Sequence, residues 1–387
     1  MNRQDLIDQF IGLFGDSSES IRCFYAPGRV NLIGEHTDYN GGYVFPAALT
    51  FGTTMLIRPR QDREIHLASA NFEVRGIIDL DQAKYVQEED WINYPKGILV
   101  HLRKNGYSFS GYDVYYYGDI PNGAGLSSSA SLQLVTAFGF MSMEGHPIDR
   151  VELALVAQRS ENEFLGVQCG IMDQFTVAMG KEDHALLLKC STLEYEHVPF
   201  DSEGYKLVIG NTNKRRGLVD SEYNTRRGQC EQAVQELRAE YPGLKLLGEL
   251  DLAQFRSSQS LIRDEGVRRR AQHVIEENDR VLKSVNALKR NDLQQFGRLM
   301  TASHNSLRDL YEVTCLELDV MVEEALGVEG VLGSRMTGAG FGGCTVSLVR
   351  EDAVDGFIER VGASYRERTG LEASFYVGNI GNGVSEL

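Results

Sequence analysis

Positive charge is scarce in this 387-residue sequence, and long apolar runs are missing. Lys and Arg number 39 against 55 Asp and Glu, a net charge of −16. Such a surface repels polyanions, so nucleic acid is a poor candidate partner. The longest charge-free apolar stretch, Tyr43 to Ile57, carries Pro46, Gly52 and several threonines. It is too short to span a bilayer, and no membrane association is expected. The segment from Met1 to Ser20 has no positive leading region and no continuous apolar run. It sets Leu6, Phe10, Leu13 and Phe14 on one face among Asp5, Asp8 and Asp16, which predicts an ordinary first helix. The six cysteines are scattered, without the paired short spacing of a zinc site or the density of a disulfide-stapled secreted domain. A soluble, reduced, cytoplasmic protein is expected. There is no internal repeat, no low-complexity tract and no GxxxxGK[ST] phosphate loop.

A chain of this length can build two or three cores. Strand-like runs ("TTMLIRP", "YDVYYYGDI", "ALLLKC") mix in the first half with helical stretches over Ser128 to Met143 and Asp149 to Phe164. Tyr223 to Leu326 is mostly helical by periodicity, and strand signals return in "CTVSLV" and "ASFYVGNI". A composition shift near residues 190 to 205 marks the expected boundary, and the fold class is mixed α+β with two lobes.

Three motifs carry chemistry. In "PNGAGLSSSASL" a Tyr-rich strand runs into a glycine loop and then a helix that opens with Ser127, Ser128 and Ser129. Gly123 and Gly125 free backbone N–H groups, and the helix N-terminus adds partial positive charge, which suits a phosphate. The hydroxyls suit a helix cap or a hard cation; a plain Gly-rich turn with a serine cap is the alternative. "GSRMTGAGFGGCTVSLV" has GxGxxG spacing, but it leads into a strand rather than a helix, so a dinucleotide-binding turn is excluded. In "GRVNLIGEHTDYNGG", Glu35, His36 and Asp38 could present fixed acceptors and an imidazole to the hydroxyls of a polyol. A metal site and a solvated Asx turn remain open there. In "SENEFLGVQCGIMDQF", Asp173 stands among Ile171, Met172 and Phe175 as a candidate base, and Glu161 as a candidate metal ligand.

These three motifs resemble, in order and spacing, the signatures of the GHMP small-molecule kinases, and the first looks like the galactokinase form. The resemblance extends through "WINYPKG", "CGIMDQF", "SEYNTRRGQCE" and "SHNSLRDLYEVTCLELD", nearly the whole chain. It implies a ribosomal-protein-S5-like N-terminal lobe over 1–195 and a ferredoxin-like C-terminal lobe with extra helices over 196–371, with 372–387 returning to the first. It implies ATP-dependent phosphorylation of the anomeric hydroxyl of D-galactose. Asp173 would face that hydroxyl, with Arg29 beside it stabilising the transferring phosphoryl group. Glu35, His36, Thr37, Asp38, Gly170 and Tyr223 would hold the sugar. Gly123, Ala124, Gly125, Leu126, Ser127, Ser128 and Ser129 would wrap the ATP phosphates, with Ser129 and Glu161 ligating Mg²⁺, and Ser69 and Trp91 would border the adenine. No obligatory protein partner is implied. One departure stands out: Gln133 follows "SSSASL" where many galactokinases have Glu. Rival readings are a kinase for N-acetylgalactosamine or arabinose, and a non-catalytic galactose and ATP sensor.

Overall fold

Alternation along three long strands decides the first lobe. Cys23, Leu56 and Tyr115 pack against Leu6 and Phe10 of helix α1 (Arg3–Phe14). Their neighbours Phe24, Met55, Ile57, Val114 and Tyr116 face the opposite way, as a period of two requires. The structure is a computed structural model that describes residues 2–121, 125–202, 204–214 and 219–387, the side chains of 219–221 excepted. Gly123 and Ala124 of the expected phosphate loop therefore lie outside the described residues.

The strands in chain order are β1 (Arg22–Asn31), β2 (Tyr43–Val44), β3 (Pro46–Pro59), β4 (Glu64–Ser69), β5 (Gly76–Asp79), β6 (Tyr112–Gly118), β7 (His184–Lys189), β8 (Glu194–Pro199), β9 (Tyr205–Asn211), β10 (Val331–Thr337), β11 (Cys344–Arg350), β12 (Ser374–Gly378) and β13 (Ser385–Glu386). The first sheet runs β13-β1-β3-β6-β4-β5, with β4 and β6 parallel and its other pairs antiparallel. Helices α2 (Asn93–Lys104), α3 (Ser128–Met143), α4 (Arg150–Arg159) and α5 (Met172–Met179) cover the face opposite α1. A small sheet, β2-β7-β8, adjoins it.

The second lobe is an antiparallel sheet in the order β10-β11-β9-β12. Numbered by first appearance this is 2-3-1-4, the ferredoxin-like order, with a long helical insertion between its first two strands. That insertion holds α6 (Val219–Leu237), α7 (Leu252–Ser258), α8 (Glu265–Leu288), α9 (Leu293–Ser306) and α10 (Leu316–Leu326); α11 (Val354–Thr369) links β11 to β12. Residues 372–387 were expected to return to the first lobe. Ser374–Gly378 instead joins β9 in the second sheet, whereas from Ile380 onward the chain does bond the first lobe: Ile380 bridges Leu49, Val384 N–H donates to the Val177 carbonyl, Ser385–Glu386 pairs with β1 and Leu387 N–H donates to the Cys23 carbonyl. The alternation of β9 explains why the lobes stay together. Val208 faces α10 and α11, whereas Leu207 and Ile209 enter a core shared with Val30, Leu32, Phe45 and Leu49 of the first lobe.

Candidate active site

The site forms where β1 leaves the first sheet toward the second lobe. The β1–β3 register shifts between Pro27 and Arg29, and such a bulge re-aims the next side chain. The Arg29 N–H donates to the Leu126 carbonyl at 3.1 Å. Its guanidinium donates through Nε and Nη2 to both oxygens of Asp173 at 2.8 and 2.7 Å, and through Nη1 to the Gly125 carbonyl at 2.7 Å. The fork is bidentate, so it fixes the plane of the carboxylate as well as its position. Asp173 stands in the first turn of α5, where the helix N-terminus favours negative charge.

The sugar-turn candidates gather around a cavity of about 420 Å³ lined by Arg29, Glu35, His36, Asp38, Gly170, Asp173 and Tyr223. Glu35 is buried and accepts from the Gly338 N–H at 2.7 Å, with Arg335 Nη1 at 3.4 Å. Burial pushes its carboxyl up, against the pull of Arg335 and the Gly338 N–H. Asp38 is pushed up to about 7 by burial, opposed by the Tyr39 N–H and reinforced by the nearby Asp173 and Glu35. Asp38 and Gly170 approach so closely that a Cβ added at Gly170 would collide with Asp38 Oδ2. This is a close approach that needs glycine.

Two expected sugar ligands are engaged elsewhere. Thr37 is fully buried, and its hydroxyl lies within hydrogen-bonding distance of the Gly34 and Tyr43 carbonyls, at 2.8 and 2.6 Å. It holds the turn together and does not line the cavity. His36 lines the cavity, but its Nδ1 meets Tyr39 Oη at 2.7 Å and its Nε2 meets the Ala339 carbonyl at 3.2 Å. Both ring nitrogens therefore have protein partners, and what His36 offers the cavity is a ring. Its pKa is lowered to about 3, chiefly by burial.

The segment that enters α3 departs from a capped helix in one respect. Ser127, at φ 62°, makes no side-chain cap to α3; its hydroxyl donates to Asp173 Oδ2 instead. A left-handed backbone at a non-glycine residue costs of order 1–3 kcal/mol, and His36 is held at the same φ of 62°. Leu126 contributes its carbonyl to Arg29 while its side chain is buried in the core shared by the lobes. Ser69, Trp91, Ser128 and Ser129 line a second cavity of about 260 Å³. Its aromatic wall has Phe72 lying nearly parallel to Trp91, with ring centres 6.1 Å apart.

Ser129 and Glu161 meet across the two cavities. Glu161 leaves α4 in a π-helical turn, Ser160–Leu165, a feature that often marks functional sites. Its carboxylate receives hydrogen bonds from Cys169 and Ser129, and burial pushes its pKa up. Its Oε1 is buried without a partner, the kind of oxygen a hard cation would take. Among the described residues no group of three or more His, Cys, Asp and Glu could hold a metal ion by itself. Gln133, one turn beyond Ser129, is buried with neither amide atom partnered.

The back of the site lies outside the three motifs. From α8, His273 Nε2 donates to the Glu35 carbonyl at 3.2 Å, Glu277 accepts the Gly34 N–H at 2.9 Å, and Asn278 accepts the Tyr43 N–H at 2.9 Å. The spacing of 273, 277 and 278 on one helical face was the available signal, but an amphipathic helix gives polar residues the same spacing.

A two-lobed fold with an arginine–carboxylate pair beside the N-terminus of α3 fits a GHMP small-molecule kinase. The family models agree: GHMP kinases N terminal domain matches residues 93–181 and GHMP kinases C terminal matches 284–367, while the galactokinase galactose-binding signature matches 8–59. The chain is 51% identical over 385 residues to a galactokinase of Halalkalibacterium halodurans, covering 99% of this chain and 98% of that one. It is 50% identical over 390 residues to a galactokinase of Bacillus subtilis, covering 100% and 99%. The crystal structure of Lactococcus lactis galactokinase complexed with galactose matches with TM-score 0.96 and 44% identity over 99% of each chain. Mevalonate kinase of Methanococcus jannaschii, at 21% identity, TM-score 0.67 and coverage of 95% and 99%, shares the fold. The chain belongs to the galactokinase family and is a kinase.

Proposed function

We propose that this chain transfers the γ-phosphoryl group of ATP to the anomeric hydroxyl of D-galactose, giving α-D-galactose 1-phosphate and ADP, in the cytoplasm and as the first committed step of galactose catabolism. The carrying observation is the bidentate Arg29–Asp173 pair facing the cavity that Glu35, Asp38 and Tyr223 also line. Phosphoryl transfer gives a protein little covalent work, so positioning and charge stabilisation dominate. Asp173 accepts a hydrogen bond from the C1 hydroxyl and takes its proton as that oxygen bonds phosphorus and the bond from phosphorus to the ADP oxygen breaks. Arg29 holds the Asp173 carboxylate in plane and stabilises the transferring group. Glu35, Asp38 and Tyr223 read the other hydroxyls. Adenine packs in the second cavity, between Trp91, Phe72 and Ser69.

The orphaned Glu161 Oε1 beside the Ser129 hydroxyl fits a hard cation. These two residues would hold Mg²⁺ with the nucleotide phosphates completing its shell, and the ion would offset phosphate charge.

The test is a coupled ADP-release assay over galactose, glucose, N-acetylgalactosamine and arabinose. An unpaired buried acceptor costs roughly 1.5–3 kcal/mol, or about 10- to 100-fold per lost bond, so galactose should exceed its 4-epimer glucose by at least that factor in kcat/KM. Asp173→Asn should lower kcat by roughly 10²- to 10⁴-fold. Comparable kcat/KM for galactose and glucose would overturn the substrate assignment.

A further inference from the structure

His36 begins and ends a circuit of hydrogen bonds whose middle belongs to the second lobe. Tyr39 Oη, which meets His36 Nδ1, lies 2.8 Å from Tyr311 Oη, and Tyr311 Oη lies 3.2 Å from Cys230 Sγ. The Asn40 side chain bonds the same sulfur. Asn40 Nδ2 also donates to the His36 carbonyl at 2.8 Å. Tyr311 closes the π-helical turn that follows α9, and Cys230 lies on α6 two turns beyond Tyr223.

The protons in this circuit have one self-consistent order. A carbonyl oxygen cannot donate, so the Ala339 carbonyl requires hydrogen on His36 Nε2. Burial lowers the His36 pKa to about 3, so at pH 7 the imidazole is neutral and Nδ1 keeps a lone pair; Tyr39 is then the donor there. A hydroxyl has one hydrogen; with that of Tyr39 committed, its oxygen must receive from Tyr311, and the oxygen of Tyr311 in turn from the Cys230 thiol. The opposite order would aim the Nε2 lone pair at carbonyl lone pairs. Tyr311 and Cys230 are almost wholly buried, at 0% and 1% exposure, and in a low-dielectric interior such a mismatch is costly.

From this order we infer that Tyr311 and Cys230, neither of which lines the sugar cavity, are positioning residues. They fix His36 as its Nε2–H tautomer and thereby tie the sugar turn to the glycine loop between β10 and β11. His36 N–H is the hand the first lobe gives to the second at Ala339, and the rings of Tyr223, Tyr311 and Tyr39 pack around it with centres within 5.8 Å.

Two measurements test this, and only the second rests on the proposed galactose reaction. In protein labelled with ¹⁵N-histidine, long-range ¹H–¹⁵N correlation identifies the His36 tautomer, with assignment by loss of the signal in His36→Asn. A neutral Nε2–H imidazole at pH 7 is expected; an Nδ1–H tautomer or a protonated ring overturns the inference. In Tyr311→Phe, which keeps the ring and removes one donor, the His36 Nδ1 resonance should shift and the galactose KM should rise roughly 2- to 12-fold, with the ATP KM unchanged. An unshifted Nδ1 resonance together with an unchanged galactose KM overturns it. Cys230→Ala supplies the same readouts one step further along if Tyr311→Phe does not fold. A protein that turned over no galactose would sink the substrate reading and leave the tautomer measurement standing.

Discussion

Burial pushes Asp38 up to about 7, which places its titration near neutrality. In the unfolded chain it loses its proton near 3.8, so between these values the folded state holds a proton that the unfolded state has released. The group therefore favours the fold fully below pH 3.8, and its contribution is gone above pH about 7. Function should run the other way. An ionised carboxylate accepts stronger hydrogen bonds from sugar hydroxyls than a neutral acid does, so bound galactose should favour the charged form. The galactose KM is expected to fall as pH rises from 6 to 8, and calorimetry near pH 6.5 in buffers of different ionisation enthalpy should register proton release on binding. In Asp38→Asn the step should flatten while weaker binding persists. Parallel pH profiles for the two proteins would remove Asp38 as its origin.

The segment from the π-helical turn to α5 is the element that brings metal candidate and base together, and Gly170 is its tightest point. A side chain there would meet Asp38 from Oδ2 back to Cβ, so this short carboxylate would have to move as a whole. Gly170→Ala should therefore fold with a lowered unfolding midpoint. Its galactose KM should rise at least about tenfold, because a displacement of about 1 Å at a positioned group is enough to do this. An unchanged KM would show that Asp38 tolerates the shift. Elements of this kind differ in how far they can be read from sequence. Ser128–Met143 and Cys344–Arg350 follow from apolar period and flanking glycines, and the polar residues of the sugar turn announce a site. The π-helical turn at Ser160–Leu165 does not announce itself, since it ends the helix at Gly166 and no later helical turn follows to show the shift in apolar period. For Thr37 the sequence cannot decide between the two roles, because a hydroxyl that closes a turn and one that meets a sugar have the same chemistry. His273, Glu277 and Asn278 meet the turn across more than 230 residues of sequence, where no local spacing carries the information.

At the scale of the whole molecule, the sugar turn is first-lobe backbone held by second-lobe side chains, and a buried ion pair makes that attachment a stability question. Arg335 of β10 is fully buried beside Glu35, with Nη1 donating to the Asn31 carbonyl at 3.0 Å and standing 3.4 Å from Glu35 Oε1. Removing one partner of a buried pair leaves an uncompensated charge and costs about 3–5 kcal/mol, whereas removing both is often nearly neutral. Arg335→Leu should thus lower the urea midpoint sharply, and adding Glu35→Gln should restore most of the loss while leaving galactose binding impaired, because Glu35 lines the cavity. Trp91, the only tryptophan, reports the first lobe, and circular dichroism weighs the second more, because α6 to α11 hold more helical residues than α1 to α5. If the shared core and this pair make one folding unit, Trp91 fluorescence and far-ultraviolet circular dichroism should give coincident transitions in the parent and in both variants. Transitions that separate in the parent protein would show that the lobes unfold independently and that the Arg335–Glu35 pair serves the site without joining the lobes.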